Sequence, residues 1–131
     1  MTELKLKEQG NGYSLGEIGA LSCFAGKVFA KDVLNLTSME LSVGSLAAGE
    51  AVPFVHSHKQ NEEVYFIISG QGVFTLDGKD VEVQEGDIIR IAPMVKRTNR
   101  NTGSGAFVYL CMQAKENSLE QCVMSDAVVE Q

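Results

Sequence analysis

The sequence predicts an all-β, single-domain protein built as a small barrel or sandwich. Three observations carry this. Short runs rich in β-branched and aromatic residues recur with turn signals every 8–12 residues or so. Asp77-Gly78 sits between two such runs, and this dipeptide is a strong signal for a two-residue hairpin because both residues tolerate positive φ. No long amphipathic helical pattern separates the runs, so a βαβ arrangement is not expected.

Taken in order, residues 1–12 have weak periodicity. They are expected to lie loosely or to pair with a partner subunit. "VFAKDVLNL" (28–36) and "MELSVGSLA" (39–47) read as strands. "VYFIISG" (64–70) is apolar and closed by Gly70, which marks a strand followed by a turn. "VFTL" (73–76) and "DVEV" (80–83) flank the Asp77-Gly78 turn, and the second alternates as a half-buried strand does. After the turn "EGD" (85–87) comes "IIRIA" (88–92), which runs to Pro93, and "FVYLCMQ" (107–113) is the last strand. A short helix is expected near the C-terminus, with Asn117 as its cap and Glu120 three residues later, as in a capping box.

A chain of 131 residues with 44% hydrophobic residues suits one compact domain with an ordinary core. The net charge of −6 comes without any basic stripe, which argues against nucleic-acid binding. No apolar run is long enough to span a membrane. The N-terminus lacks the apolar centre of a secretion signal. Cys23, Cys111 and Cys122 are odd in number and far apart, so they read as free thiols, each a small buried apolar residue. A reducing, cytoplasmic setting follows as the expectation.

The chemistry concentrates in "PFVHSHKQNEE" (53–63), which holds both histidines of the chain. In an extended segment, residues two apart point the same way, so His56 and His58 share a face. Glu63 opens the strand at 64–70 and reaches the same spot if the chain folds back over 59–62. Two imidazoles and one carboxylate suit a borderline divalent metal such as Fe, Mn, Ni, Zn or Cu.

The stretch "GEAVPFVHSHKQNEEVYFIISG" (49–70) resembles the first motif of the cupin superfamily. Gly49, His56, His58, Glu63 and Gly70 fill its places, although the gap between Gly49 and His56 is one residue longer than the family's. Glu62 fits the shorter permitted spacing to His58 but sits one residue too far from Gly70. The second motif is degraded in "GDIIRIAPMVKRTNRN" (86–101). Gly86 and Asn101 match, Ala92 and Met94 replace a proline and a glycine, and Arg97 stands where the family has its fourth metal ligand, a histidine. The resemblance implies a cupin-like double-stranded β-helix, a jelly-roll barrel, over residues 25–115. An N-terminal segment (1–24) would pack on the barrel or a partner, and a tail (116–131) would carry the short helix. It also implies a homodimer, a metal held by His56, His58 and Glu63, and a small-molecule ligand.

Arg97 leaves three outcomes open. The metal is kept by the other three ligands. Or no metal binds and Arg97 pairs with Glu63 or Glu62. Or Arg97 grips an anionic ligand at the barrel mouth, for which its planar fork is suited. Tyr65 and Phe54 are further ligand-contact candidates, at the pocket wall and mouth. Phe107, Tyr109, Cys111 and Gln113 share one face of the last strand; if that face is inward, Cys111 is a soft donor beside the site. The resulting expectation is a divalent metal with a small anionic metabolite, in either a metal-dependent enzyme of the dioxygenase or isomerase class or a non-catalytic binding module.

Overall fold

A computed structural model describes residues 3–130; the first two residues of the N-terminal segment and the last residue of the tail lie outside the described residues. Among the described residues, ten strands form three sheets. A two-stranded hairpin comes first, of β1 (Lys5–Gln9) and β2 (Ser14–Glu17). A five-stranded sheet contains β3 (Lys27–Phe29), β4 (Glu40–Leu46), β5 (Asn61–Ser69), β8 (Ile88–Ile91) and β10 (Phe107–Lys115), in the order β3-β4-β10-β5-β8. The third sheet, β7-β6-β9, is made from β6 (Gln71–Leu76), β7 (Lys79–Gln84) and β9 (Arg97–Asn101). All of the pairings are antiparallel. The two larger sheets face each other across one core, and the fold is the jelly-roll barrel that the sequence predicts.

The turn chemistry works as the sequence implies. Asp77 (φ 49°) and Gly78 (φ 84°) both take left-handed backbone, the requirement of the tight turn joining β6 to β7. At Gly70 (φ 81°) an added Cβ would lie 2.3 Å from the Ala106 carbonyl oxygen, so this corner has no room for a side chain.

Alternation along β5 and β10 sorts the residues into two layers. Tyr65, Ile67, Phe107, Tyr109 and Cys111 face inward and join Phe74, Val83 and Ile91 in the main core. The aromatic rings there stand in tilted or edge contact, with centroids 4.8 Å apart for Tyr65 and Phe74 and 5.2 Å for Phe107 and Tyr109. They fill much of the lumen. The opposite face, with Val43 and Val108, is covered by Phe24 from the N-terminal segment.

Four expectations change. The segment 28–36 is not one strand: β3 ends at Phe29 and a single turn of helix, α1 (Lys31–Leu34), follows, stopped by Asn35 in left-handed conformation. Its valine and leucine spacing is compatible with either state over so few residues, and the Asn35 cap decides it. Lys5–Gln9, in the segment expected to lie loosely or to pair with a partner subunit, forms the β1–β2 hairpin with Ser14–Glu17. The C-terminal helix is absent from 117–120: Asn117 has φ 63° and turns the chain after β10, with the Ser118 amide donating to the Lys115 carbonyl, and only a 3-10 turn at Met124–Asp126 follows. A left-handed Asn117 cannot serve as an N-cap, which needs extended backbone. Of the cysteines, Cys111 is buried, whereas Cys23 and Cys122 are exposed. Among the described residues, no helix is long and apolar enough to cross a membrane.

Candidate metal centre

β5 supplies the carboxylate. Glu63 follows the same inward alternation as Tyr65 and Ile67 and is 3% exposed. Buried this deeply, a carboxylate needs partners on both oxygens. One oxygen, Oε1, accepts from Arg97 Nη1 at 2.7 Å and from the Tyr65 hydroxyl at 3.4 Å. The other, Oε2, accepts from the Cys111 thiol at 3.4 Å and lies 3.3 Å from His58 Nε2, in a geometry that makes no hydrogen bond.

The histidines come from an irregular segment rather than a regular strand. It is fastened to the second-motif region by backbone bonds. The His56 amide donates to the Arg97 carbonyl at 3.0 Å, the Arg97 amide returns a bond to His56 at 2.8 Å, and the His58 amide donates to the Pro93 carbonyl at 2.8 Å. The two rings still project together, centroids 5.1 Å apart and nearly perpendicular. The donor atoms of His56, His58 and Glu63 all lie within 4.8 Å of one another.

Two of these atoms have unmet needs. His56 Nδ1 and His58 Nε2 are buried and have no hydrogen-bond partner. Buried polar nitrogens left unpaired are uncommon and costly, and an absent ion is one standard explanation. Burial is also the main effect holding the His56 pKa below the usual imidazole value, with His58, Arg97 and Lys27 adding to it and Glu63 opposing. A neutral ring with a free lone pair is the form that ligates a metal. Two imidazoles and a carboxylate oxygen therefore fit a divalent transition metal.

Arg97 takes the place of the family's fourth ligand and is 1% exposed. Besides Glu63, its guanidinium donates to the carbonyls of Ala92 (2.7 Å), Pro93 (2.9 Å) and Val95 (2.7 and 3.0 Å). The Arg97–Glu63 pair is present in the geometry, and it leaves Glu63 Oε2 and both imidazoles facing one another. Glu62 is committed elsewhere, pairing with Arg90, which also holds Glu116 at 3.1 Å.

Around this centre, Tyr65 packs at the inner wall, and burial raises its hydroxyl far above the ordinary range. Burial likewise pushes the Cys111 thiol up to about 12, with Glu63 contributing, so it stays protonated. Phe54 is 58% exposed and its ring lies 5.5 Å from His56, at the barrel mouth. Sequence reasoning passed over Asn99, which is buried on β9 and donates to the Tyr109 hydroxyl at 3.1 Å. The period-2 run Arg97, Asn99, Asn101 is the signal that would have found it. A surface cleft lined by Tyr13, Leu34 and Met39 beside the hairpin contains none of these groups.

The chain is similar in sequence and fold to known proteins. The cupin domain model matches residues 42–113, more than half of the chain. A crystal structure of a cupin protein from Bacteroides fragilis is 43% identical, with a TM-score of 0.84, covering 93% of this chain and all of that one. An oxalate-binding protein of Thermotoga maritima is 33% identical over 44% of this chain and 48% of its own length. An acireductone dioxygenase of Bacillus cytotoxicus is 33% identical over 51% of this chain and 41% of its own. The chain thus spans less than half the length of these two curated relatives. With its inward Glu63, its paired histidines and its jelly-roll barrel, this chain belongs to the cupin family.

Proposed function

We propose that this protein binds a divalent transition metal through His56, His58 and Glu63, together with a small carboxylate-bearing anion at the barrel mouth. The observation that carries the reading is the pair of buried, unpartnered nitrogens, His56 Nδ1 and His58 Nε2, beside a carboxylate oxygen. Three protein donors leave coordination positions for a ligand. The aromatic filling of the lumen favours a compact one. The similarity to an oxalate-binding protein supports a small carboxylate.

In this reading each neighbour has a definite task. Arg97 and Tyr65 hold Glu63 Oε1, which leaves Oε2 turned toward His58. Hydrogen-bonding partners of this kind fix the orientation of a ligating carboxylate. Phe54 shields one side of the entrance. The metal, when bound, supplies Lewis-acid polarisation of the ligand's oxygen. A second reading, a metal-dependent dioxygenase, draws on the similarity to acireductone dioxygenase and on the same open positions. The protein is further read as a homodimer, supported by the exposed apolar residues Leu6, Leu15 and Phe29 on the N-terminal hairpin and edge strand.

The test is elemental analysis of purified wild type and of the His56→Ala/His58→Ala variant, followed by thermal-shift measurements with small carboxylates. Wild type should carry a transition metal that the variant lacks, and carboxylates should stabilise only the metal-loaded wild type. Equal metal content in both proteins would remove the site.

A further inference from the structure

Arg97 is too well enclosed to reach a ligand directly. Its guanidinium is spent on Glu63 and on three backbone carbonyls. Its charge nevertheless stays in the site, because arginine does not lose its proton at ordinary pH. The consequence is electrostatic. Glu63 carries one negative charge and Arg97 one positive charge, 2.7 Å apart, so the pair is neutral before any metal enters. The histidines ligate as neutral rings.

A dication added to this set is left uncompensated by the protein. Among the described residues, Glu63 is the one carboxylate acting on His56, against the positive charges of Arg97 and Lys27. Glu62 is held away by Arg90. Lys27 is exposed and adds a screened positive charge. A buried, unbalanced double charge is strongly unfavourable, and an incoming anion is what remains to balance it.

We infer that Arg97 sets the charge of the ligand: by neutralising Glu63, it makes the metal-loaded site complementary to a small dianion, such as a dicarboxylate, over a monoanion. Metal and dianion then bind cooperatively, each raising the affinity for the other by the same factor. This rests on the metal site proposed above. In place of the direct anion grip, one of the three outcomes open for Arg97 in the sequence, this reading gives Arg97 an effect exerted through the charge balance.

The experiment uses Co2+ as an optical probe of site occupancy, titrated at buffered free-ion concentration so that chelation in solution does not count. Dissociation constants are measured in chloride, in acetate and in malonate. In wild type, malonate should tighten Co2+ binding by about tenfold or more, within the usual range of coupling between sites, and acetate by much less. In Arg97→Gln the malonate advantage should shrink to the level of acetate, and in Arg97→Lys, which keeps the charge, it should persist. Circular dichroism checks the folding of both variants; if Arg97→Gln does not fold, malonate is compared in wild type with glycolate, a monoanion that also chelates through two oxygens, and loss of the malonate advantage there overturns the inference. Equal effects of the two anions in wild type, or an unchanged malonate advantage in folded Arg97→Gln, would overturn the inference while leaving the metal site standing. Failure of Co2+ to bind under any condition would overturn the metal site itself and this inference with it.

Discussion

Replacing Arg97 by methionine keeps a similar side-chain length and removes the charge and every donor. In the metal-free protein this leaves Glu63, 3% exposed, without its strongest partner, and strips the carbonyls of Ala92, Pro93 and Val95 of the guanidinium. Breaking a buried ion pair from one side costs about 3–5 kcal/mol. Burial at 1% exposure leaves little solvent screening to reduce that figure. A chain of this size loses a few degrees of Tm for each kcal/mol, so the expected drop is roughly 10–20 °C. The urea midpoint should fall by about 2 M, for a slope near 2 kcal/mol per M. The assay is urea unfolding followed by circular dichroism on chelator-treated protein. The unpaired Glu63 should also draw a metal more strongly, so saturating divalent metal should restore part of the loss; occupancy at 100 times the dissociation constant is worth about 2.7 kcal/mol. A loss under about 1 kcal/mol, the value of a surface pair, would mean that Arg97 is not the buried partner of Glu63.

Other outcomes follow from the same structure. Cys23 and Cys122 are exposed and Cys111 is buried with its thiol protonated, so a thiol reagent at pH 8 should label two cysteines in the native protein and the third only after unfolding. The folded Cys111 pKa of about 12 lies above the unfolded value of about 8.5. The stability this group contributes is therefore complete below about pH 8.5 and is lost as pH rises toward 12. At pH 10.5 wild type should lose about 2–3 kcal/mol relative to Cys111→Ala, measured as the difference between their urea midpoints at pH 8 and at pH 10.5. Light scattering at micromolar concentration should give twice the 14.2 kDa chain mass, and a monomer would remove the proposed dimer.

What could be read in the sequence depended on where hydrophobic contrast was available. The strands containing Val64–Ser69, Val73–Leu76 and Phe107–Gln113 bury one face against the core, so their apolar residues announce them. Gly70 and the Asp77-Gly78 pair fixed the corners through positive φ. The hairpin β1–β2 escaped notice because all five residues of β1 are exposed, and with no buried face there is no alternation to detect. Strand β9 escaped for the opposite reason: its inward residues Arg97, Asn99 and Asn101 are polar, which inverts the usual pattern. The grouping of His56, His58 and Glu63, whose donor atoms lie within 4.8 Å of one another, was legible from the spacing of the histidines together with the resemblance to the cupin motif. The direction of Arg97 was not, since nothing local says whether a guanidinium in "KRTNR" meets solvent or a carboxylate 34 positions earlier. Only the pairing of sheets that sets Glu63 behind the second-motif loop decides it.

In the proposed site, His56, His58 and Glu63 hold a metal while Arg97 stays on Glu63. Anomalous scattering from a crystal of the protein grown with a divalent transition metal, recorded at that metal's absorption edge, tests this most directly. One strong peak should appear, bounded by His56 Nδ1, His58 Nε2 and Glu63 Oε2, with Arg97 Nη1 still bonded to Oε1. No peak there at saturating metal, or a peak with Glu63 turned wholly toward Arg97, would contradict it.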